Sequence, residues 1–382
     1  MKLEDVLGPY KYFGLAKSTE NQDILDFFKS MTMDTPSLSL RYERGEDFFS
    51  YFNDQCERAY VFTMKNEDGS IKGLGSIALI RHFINGESEL CAYLGDLRIS
   101  PKLSAKIRVK WKKCYGDIIS QFHELEEFKD VRYLYSAILD DNFAAMKSLL
   151  KNNERIIYHP LTSYETISIY GNNPLMLTNP RGLKIANSNF EDIRHLLQSE
   201  LTTDGLHYDF SNGEQNELDR RLETWKGLDK DSFMSVTRSN GEVVATCAPW
   251  MSDTKKLIVT KIGSFYRMLG SLLFPLFGIP KLTPGKEVKM LYLTHLHFKR
   301  DLSKEERRAA LVLMIRKILK HRRAEFHLIS FFSYPCWQID SLPFLYQSTK
   351  ATLYQVMSKE QFERKDFIKL GNKAPAFTLE VS

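Results

Sequence analysis

Acidic and phenolic side chains lie within two apolar segments, and a basic segment follows the first of them. Asp96 lies in a long apolar segment with Glu89 just before it, and Tyr135 lies in the second apolar segment, residues 131–139. A carboxylate can accept a proton and a phenol can donate one, so these residues are candidates for a general base and a general acid. Residues 101–108 add lysine and arginine where a helix is predicted to begin, and such a helix start favours anions.

A sheet and a helix are needed to position these residues, and the hydrophobic pattern predicts both. In the first half of the chain it predicts helices at 20–30, 104–122 and 142–151, and strands at 60–64, 71–80, 90–100, 131–139 and 158–170. The Asp-Gly pair that ends at Gly69 predicts a hairpin turn between the first two strands. The order is therefore one helix, three strands, a helix, a strand, a helix and a final strand or strand pair.

The second half of the chain repeats this order. It predicts helices at 190–200, 214–225 and 303–319, and strands at 233–237, 242–249, 287–299, 325–332 and 352–357. Six residues also match at one constant spacing of 199: Tyr93, Leu94, Leu97, Ile99, Leu103 and Ser104 correspond to Tyr292, Leu293, Leu296, Phe298, Leu302 and Ser303. The sequence therefore predicts an internal duplication, with domains at 1–172 and 173–382 and a linker within 171–182.

The segment from Tyr93 to Pro101, the strand from Tyr133 to Leu139 and the Asp141-Asn142-x-x-Ala145 helix start resemble the GCN5-related N-acetyltransferase (GNAT) superfamily. The resemblance covers about residues 10–170 well and 183–360 more loosely. It implies an α/β fold with a mixed sheet, present in two tandem copies. In architecture only, two such copies also resemble the N-myristoyltransferases.

The resemblance implies binding of coenzyme A, because two parallel strands of this fold separate and expose main-chain groups to the pantetheine arm. The pyrophosphate would lie at the following helix start. The implied cofactor-binding residues are Leu97, Arg98, Ile99, Lys102, Ser104, Ala105, Lys106, Ile107, Arg108 and Asn142. Asn142 is also expected to cap its helix.

The chain departs from the family pattern at the phosphate loop and at one helix position. No glycine lies between Ser100 and Gly116, and Ile107 and Val109 occupy positions where the family carries glycine. Leu149 replaces the tyrosine that many members use as the acid for the leaving thiolate. In the second copy, two glutamates at 305 and 306 add negative charge beside the corresponding helix start.

Acyl transfer from acetyl-CoA to an amine is the function that the resemblance implies, with the N-terminal copy as the active one. Asp96 or Glu89 would serve as the base and Tyr135 as the acid. Structural interpretations stand beside these roles: Asp96 paired with Arg98 or a neighbour, and Tyr135 as a core aromatic. The alternative function is a catalytically inactive module that binds acyl-CoA or a protein. The acceptor is a small-molecule or peptide amine.

Composition and residue spacing argue against several other classes of protein. The net charge is +5 and no long Lys/Arg run occurs, so we expect no nucleic-acid partner. The five cysteines lie far apart without a CxxC pair, and His295 and His297 share a strand face without a third ligand, so we expect no disulfide framework and no metal. No apolar segment of the signal-peptide type follows Met1, which makes the cytoplasm the default expectation.

The second copy contains an insertion, residues 251–286, that the first copy lacks at this length. Its most apolar part is residues 262–280, which contain Arg267, Pro275 and Pro280. These residues interrupt the apolar run, and the uninterrupted part is too short to span a membrane. We expect it to cover the first domain or another subunit, which would make a homodimer. An acyl or lipid pocket and a membrane surface are the alternatives. Any helix is limited to 260–274.

Overall fold

The computed structural model describes residues 1–34, 38–84, 86–150, 155–173, 176, 182–186, 188–199, 201, 205–211, 216–264 and 281–370. Its helices are α1 (Leu3–Leu7), α2 (Asn21–Ser30), α3 (Ser50–Gln55), α4 (Ala105–Ser120), α5 (Phe143–Ala145), α6 (Phe190–Ser199), α7 (Glu217–Thr224), α8 (Lys304–Arg322) and α9 (Lys359–Glu363). Its strands are β1 (Phe13–Leu15), β2 (Thr32–Asp34), β3 (Leu38–Arg44), β4 (Arg58–Lys65), β5 (Ile71–Ile84), β6 (Glu87–Ile99), β7 (Val131–Leu139), β8 (Ile156–Asn172), β9 (Leu183–Ala186), β10 (Leu206–Tyr208), β11 (Met234–Arg238), β12 (Val243–Trp250), β13 (Lys255–Ile262), β14 (Met290–Phe298), β15 (Leu328–Ser333) and β16 (Phe344–Ser358).

One large mixed sheet runs through both halves of the chain. Within the described residues its thirteen strands follow the order β1-β4-β5-β6-β7-β16-β8-β15-β14-β12-β11-β9, with β10 paired to β5. β6 is parallel to β7, and β14 is parallel to β15, so each half carries the same parallel pair. β16 lies between β7 and β8, while β8 also pairs with β15. Each half is therefore completed by a long strand of the other.

The faces of the sheet are covered by amphipathic helices. On one face of the N-terminal half, α4 buries Ile107 and Trp111 against Leu94 of β6. On the opposite face, α2 buries Phe28 in a second core that also includes Tyr93 of β6. Successive side chains of a strand point to opposite faces, which explains why adjacent residues of β6 belong to different cores. The two faces of β6 therefore meet two different environments.

A separate three-stranded sheet, in the order β13-β3-β2, joins the two halves. β13 belongs to the insertion of the second copy and pairs with β3 along Leu38–Arg44. The segment to which any helix was limited, residues 260–274, begins inside a strand, because β13 continues to Ile262. The rest of the predicted apolar segment, residues 265–280, lies outside the described residues. The described part of the insertion therefore pairs with one strand of the N-terminal half, and the predicted homodimer stays a prediction.

The two-copy α/β architecture that the repeat predicted is confirmed by the matching parallel pairs. The strand predicted at 131–139 has the predicted bounds. The helix predicted at 142–151 is instead one short α-helical turn, α5, followed by π-helical residues Met146–Leu150. The proposed boundary near residue 172 stays a prediction.

Candidate functional site

Strand β6 contains a bulge centred on Asp96. Gly95 pairs with Ser76 of β5 and Arg98 pairs with Leu74, so two residues of β6 face one residue of β5. Asp96 itself has a φ of 51°, which lies in the left-handed region that aspartate tolerates better than most residues. A bulge bends its strand and increases its twist. The bulge therefore turns the end of β6 away from its neighbour.

Strand β14 contains the same bulge at the equivalent position of the second copy. Thr294 pairs with Ala248, and His297 pairs with Thr246, while His295 has a φ of 51°. The three residues Thr294, His297 and His295 lie 199 positions after Gly95, Arg98 and Asp96, respectively. The repeat that the sequence predicted therefore extends to the detail of backbone conformation.

Strands β6 and β7 separate just before the bulge and leave a notch. Their parallel pairing ends with Tyr93 opposite Tyr135. Past that point, Ser136 still donates a hydrogen bond from Oγ to the Leu94 carbonyl at 2.8 Å, but the strands no longer pair. The edge of β6 that faces β7 is thus left for another hydrogen-bonding group.

The notch opens into a cavity of about 1100 Å³ between the two halves. Both walls of the notch line it, together with β3, β8, β13, β15 and β16. Most of its lining side chains are apolar, among them Leu38, Leu40, Leu97, Ile138, Leu139, Leu149, Leu257, Leu282 and Leu328. Leu97 and Leu139 are 40% and 43% exposed, high values for leucine on facing strands. The cavity can therefore take a ligand with an apolar body.

An ion pair lies at the cavity wall beside the bulge. Arg44, at the end of β3, donates from Nη2 to both carboxylate oxygens of Asp96, at 3.0 and 3.1 Å. Its side chain is only 2% exposed, and its guanidinium carbon lies 3.2 Å from the centroid of the Tyr51 ring. Although burial works against the charge, Asp96 and Tyr51 outweigh it and raise the pKa of Arg44. Asp96 is thus paired with Arg44 and not with Arg98.

Arg98 lies on the same face of β6 and also lines the cavity. Its guanidinium carbon lies 4.1 Å from the centroid of the Phe28 ring and 5.4 Å from that of Tyr42. Burial lowers the pKa of Arg98, and Arg44 lowers it further, while Asp96 acts in the opposite direction. Two guanidinium groups therefore lie at this wall, and only that of Arg44 forms an ion pair with Asp96.

Helix α4 begins next to the end of β6. Its N-cap residue is the neutral Ser104, and basic side chains lie beside it. Ser104 Oγ accepts a hydrogen bond from the Ile107 N–H at 3.3 Å, and Ser104, Ala105 and Lys106 are exposed. No described residue accepts a hydrogen bond from the N–H groups of Ala105 or Lys106. Ile107 points into the core with no exposed surface. Ile107, which stands where the family carries a glycine, therefore places no side chain in front of the helix start.

Arg108 stabilises this loop from within. Its Nη2 donates to the carbonyls of Ser100, Pro101 and Leu103 at 3.2 to 3.4 Å. Arg108 therefore uses one of its nitrogens to hold the loop, and its predicted role beside a phosphate stays a prediction. Lys102, Lys106 and Arg108 are all exposed basic residues of the segment.

The second copy carries the same elements in different surroundings. At the start of α8, Glu306 accepts the Ser303 N–H at 2.8 Å and donates its own N–H to Ser303 Oγ, so the carboxylate occupies the helix start. Trp337 packs on Phe298 at the end of β14, with 5.1 Å between ring centroids. Phe298 belongs to the core of the second copy, and Trp337 is partly buried against that core. The end of β14 therefore contacts an aromatic side chain of the protein itself.

Two of the predicted catalytic residues lie away from the cavity. Tyr135 has no exposed surface, and its hydroxyl lies 2.8 Å from His82 Nε2 in the core. Glu89, opposite His82 on β5, lies near the start of β6 before the notch. Neither residue lines the cavity. Of the three predicted residues, only Asp96 reaches it.

The cavity brings together three residues that the resemblance implied, Leu97, Arg98 and Asn142, and two that the sequence did not single out. Asn142 lines it and caps α5, accepting the Ala145 N–H on Oδ1 at 3.0 Å, so the predicted cap is present. Tyr164 of β8 lines it with 4% exposure. Arg44 and Tyr164 were missed because their segments carry no pattern that sets them apart, and only the tertiary fold places them beside Asp96.

The fold of the chain is similar to that of solved structures. Over 94% of this chain and 83% of the other, it superimposes on the Saccharomyces cerevisiae N-myristoyltransferase with bound myristoyl-CoA, at 9% identity and a TM-score of 0.55. A second similar structure is a fungal multi-domain GH3 β-N-acetylglucosaminidase that has a GCN5-related glucosamine N-acetyltransferase region. The match includes 90% of this chain and 38% of the other, at 10% identity and a TM-score of 0.55. No family model matches the chain, and no curated protein matches it. The chain therefore has the GNAT fold in a two-lobe arrangement.

Two further observations concern the described part of the chain. It contains no group of three or more His, Cys, Asp or Glu residues that could hold a metal ion. Among its helices, none is both long enough and apolar enough to cross a membrane.

Proposed function

We propose that the chain is a coenzyme A-dependent acyltransferase whose active site lies in the N-terminal copy. The observation that carries the proposal is the contrast between the two copies. The notch after Tyr93 opens into the cavity and leads to a helix start with basic side chains, whereas in the second copy the carboxylate of Glu306 lies at the helix start and Trp337 packs on the end of β14. Only the first offers both an exposed strand edge and a helix start that favours phosphate.

In the proposed complex, the pantetheine arm lies along the open edge of β6 and pairs with main-chain groups of residues 97–99. The pyrophosphate lies at the N–H groups of Ala105 and Lys106, where the partial positive charge of α4 and the charges of Lys102 and Lys106 add up. The thioester then reaches the bulge, and the acyl group extends into the cavity.

The reaction forms one bond and breaks another. The amine nitrogen attacks the thioester carbonyl carbon, the C–N bond forms, the C–S bond breaks, and the thiolate takes up a proton while the amine loses one. We assign the acid to Tyr164, because its phenol lines the cavity and carries a proton at neutral pH. Tyr135 does not reach the cavity, so we move this role from Tyr135 to Tyr164.

The size and lining of the cavity favour an acyl group longer than the acetyl group that the resemblance implied. A volume of about 1100 Å³ with a mainly apolar lining exceeds what an acetyl group occupies, and burying each further methylene contributes about 0.8 kcal/mol. We propose that an aliphatic acyl chain enters this space from the notch. The acceptor is an amine that reaches the thioester through the same cavity.

The proposal is tested by the effect of coenzyme A on the melting temperature. A ligand that binds only the folded protein raises Tm with its concentration. We expect such a rise for the wild type and for Lys304→Glu, and its loss for Ala105→Glu, which puts a carboxylate where the pyrophosphate would lie. Lys304 is the equivalent of Ala105 in the second copy and serves as the matched control.

Ala105→Glu should not disturb folding, because a carboxylate in the first turn of a helix is favourable. Lys304→Glu removes an exposed ion pair with Asp340, which should change stability little. Equal rises in all three proteins would place coenzyme A elsewhere and contradict the proposal. Release of free thiol from acetyl-, decanoyl- and myristoyl-CoA, measured with the same proteins, then separates an enzyme from the alternative of a binding module without turnover.

A further inference from the structure

The charges around the cavity do not balance. Among the described residues that line it, four side chains are cationic, namely Arg44, Arg98, Lys255 and Lys281, and Asp96 is the one carboxylate. The remaining lining is mainly apolar. A cavity of this kind suits a ligand that combines an apolar body with a negative charge.

The single carboxylate is already committed to Arg44. Both of its oxygens lie within 3.1 Å of Arg44 Nη2. No carboxylate of the described residues forms an ion pair with the Arg98 guanidinium, and Arg98 Nε is buried without a hydrogen-bond partner. The contacts of Arg98 with Phe28 and Tyr42 are cation–π contacts, which leave its in-plane donors unused.

A guanidinium group at an apolar wall is costly unless an anion and hydrogen bonds compensate for lost water. The lowered pKa of Arg98 reflects the same burial. A planar carboxylate matches the forked donors of arginine and can take two hydrogen bonds from them. Arg98 therefore lacks, in the protein alone, the partner that its chemistry favours.

The missing anion is not the pyrophosphate of coenzyme A. Arg98 stacks on Phe28 of α2, whereas its neighbour Ile99 packs with the core that contains Ile107 of α4. These side chains lie on opposite faces of the sheet, and the helix start that suits a pyrophosphate lies on the α4 side. The anion that Arg98 would bind lies on the cavity side.

We propose that Arg98 binds the carboxylate of the acceptor, and that the acceptor is an apolar amino acid or a compound with the same grouping of amine, carboxylate and apolar side chain. The acceptor role of this ligand rests on the proposed function, whereas the anion site does not. Arg98 belongs to the strand segment that would hold the thioester, so a carboxylate bound there keeps an adjacent amine close to the acyl carbon. The apolar walls receive the side chain.

The test uses two product-like probes that differ by one charge, N-acetyl-L-phenylalanine and N-acetyl-L-phenylalaninamide, in isothermal titration calorimetry with the full chain. We expect the carboxylate probe to bind the wild type at least 10-fold more tightly than the amide. We expect Arg98→Met to remove this preference and Arg98→Lys to retain part of it. Lys113→Met, on the exposed face of α4, should keep the wild-type preference.

Equal affinities of the two probes, or no binding of either, would overturn the proposal. So would a preference that Arg98→Met leaves intact in a protein with wild-type circular dichroism. A parallel titration with succinyl-CoA and butyryl-CoA checks the donor as the source of the carboxylate. If Arg98→Met removes a preference for succinyl-CoA instead, the acceptor assignment is wrong. The Tm shift with coenzyme A is independent of these results, so the two proposals fail separately.

Discussion

Asp96 and His295 adopt the same left-handed backbone conformation at equivalent bulges, 199 residues apart, but their side chains meet opposite environments. Asp96 pairs with Arg44 at the wall of an open cavity. His295 is enclosed by aromatic rings, with Phe233 at 5.1 Å and Phe210 at 5.5 Å between centroids. One backbone geometry thus bounds a cavity in the first copy and a sealed core in the second.

We predict that Asp96→Ala destabilises the protein by about 3 kcal/mol, because it leaves the buried Arg44 without a counter-ion. Urea unfolding measures the change. Asp253→Ala, which breaks an exposed ion pair with Lys226, is the control and should change stability little. If both variants lose the same stability, the Arg44 pair has no special role in the fold.

A second buried ion pair joins the halves through α7. Glu217 is 1% exposed and accepts hydrogen bonds from Arg220 and from Arg221, at 2.9 and 3.1 Å. Arg220 in turn donates to the Asp54 carbonyl of the N-terminal half at 3.0 Å. Arg221 has no exposed surface and stacks 3.6 Å from the Tyr208 ring centroid.

Glu217→Gln should therefore cost about 3 kcal/mol of folding free energy, since two guanidinium groups lose their carboxylate in a buried setting. Glu223→Gln, at an exposed position of the same helix, is the matched control and should leave the urea midpoint unchanged. A small effect of Glu217→Gln would mean that water reaches this cluster.

The fold and the repeat could be predicted because their signals are local. The apolar run 131–139 and the helical stripe of α4 depend on contiguous residues, and the 199-residue spacing compares one such segment with another. Asp96 was singled out for the same reason, as a charge inside an apolar strand.

The rest of the site depends on contacts between distant segments, which a local pattern does not contain. Arg44 lies in a strand with other charged residues, and it reaches Asp96 only because β3 pairs with β13, more than 200 residues further along the chain. Tyr164 reaches the cavity because β16 of the second copy enters the sheet beside β8. Tyr135 illustrates the converse: its position in the sequence suggested chemistry, and the fold buries it.

The Tyr135–His82 contact predicts a dependence of stability on pH. His82 Nδ1 donates to the His207 carbonyl at 3.1 Å, so the neutral ring accepts the Tyr135 hydroxyl proton on Nε2. Burial lowers the pKa of His82 from its ordinary value of 6.5 to about 4, with Arg221 adding to this and Glu217 opposing it. Between these two pH values the unfolded chain binds more protons than the folded one, so stability falls as the pH drops.

The full effect of His82 on the free energy of unfolding is about 3 kcal/mol, because each tenfold loss of proton affinity on folding corresponds to about 1.4 kcal/mol. We predict that His82→Gln flattens the loss of stability between pH 6.5 and 4, measured by urea unfolding at several pH values. His195→Gln, at an exposed position of α6, should retain the wild-type slope. An unchanged slope in His82→Gln would show that other groups cause the acid sensitivity.

Tyr164 and Tyr135 give the sharpest test of which phenol takes part in the reaction. Tyr164 lines the cavity, and removing its hydroxyl removes the proposed proton donor to the thiolate. We predict that Tyr164→Phe lowers kcat for acyl transfer by about 10²- to 10⁴-fold, the range typical of general acid catalysis, with little change in Tm. Tyr135→Phe should instead lower Tm, because it leaves His82 Nε2 buried without its donor, and should keep kcat near the wild-type value. Free-thiol release and thermal unfolding of the same three proteins measure both quantities. A wild-type kcat in Tyr164→Phe would exclude Tyr164 as the acid, and a loss of kcat in Tyr135→Phe at unchanged Tm would return the role to Tyr135.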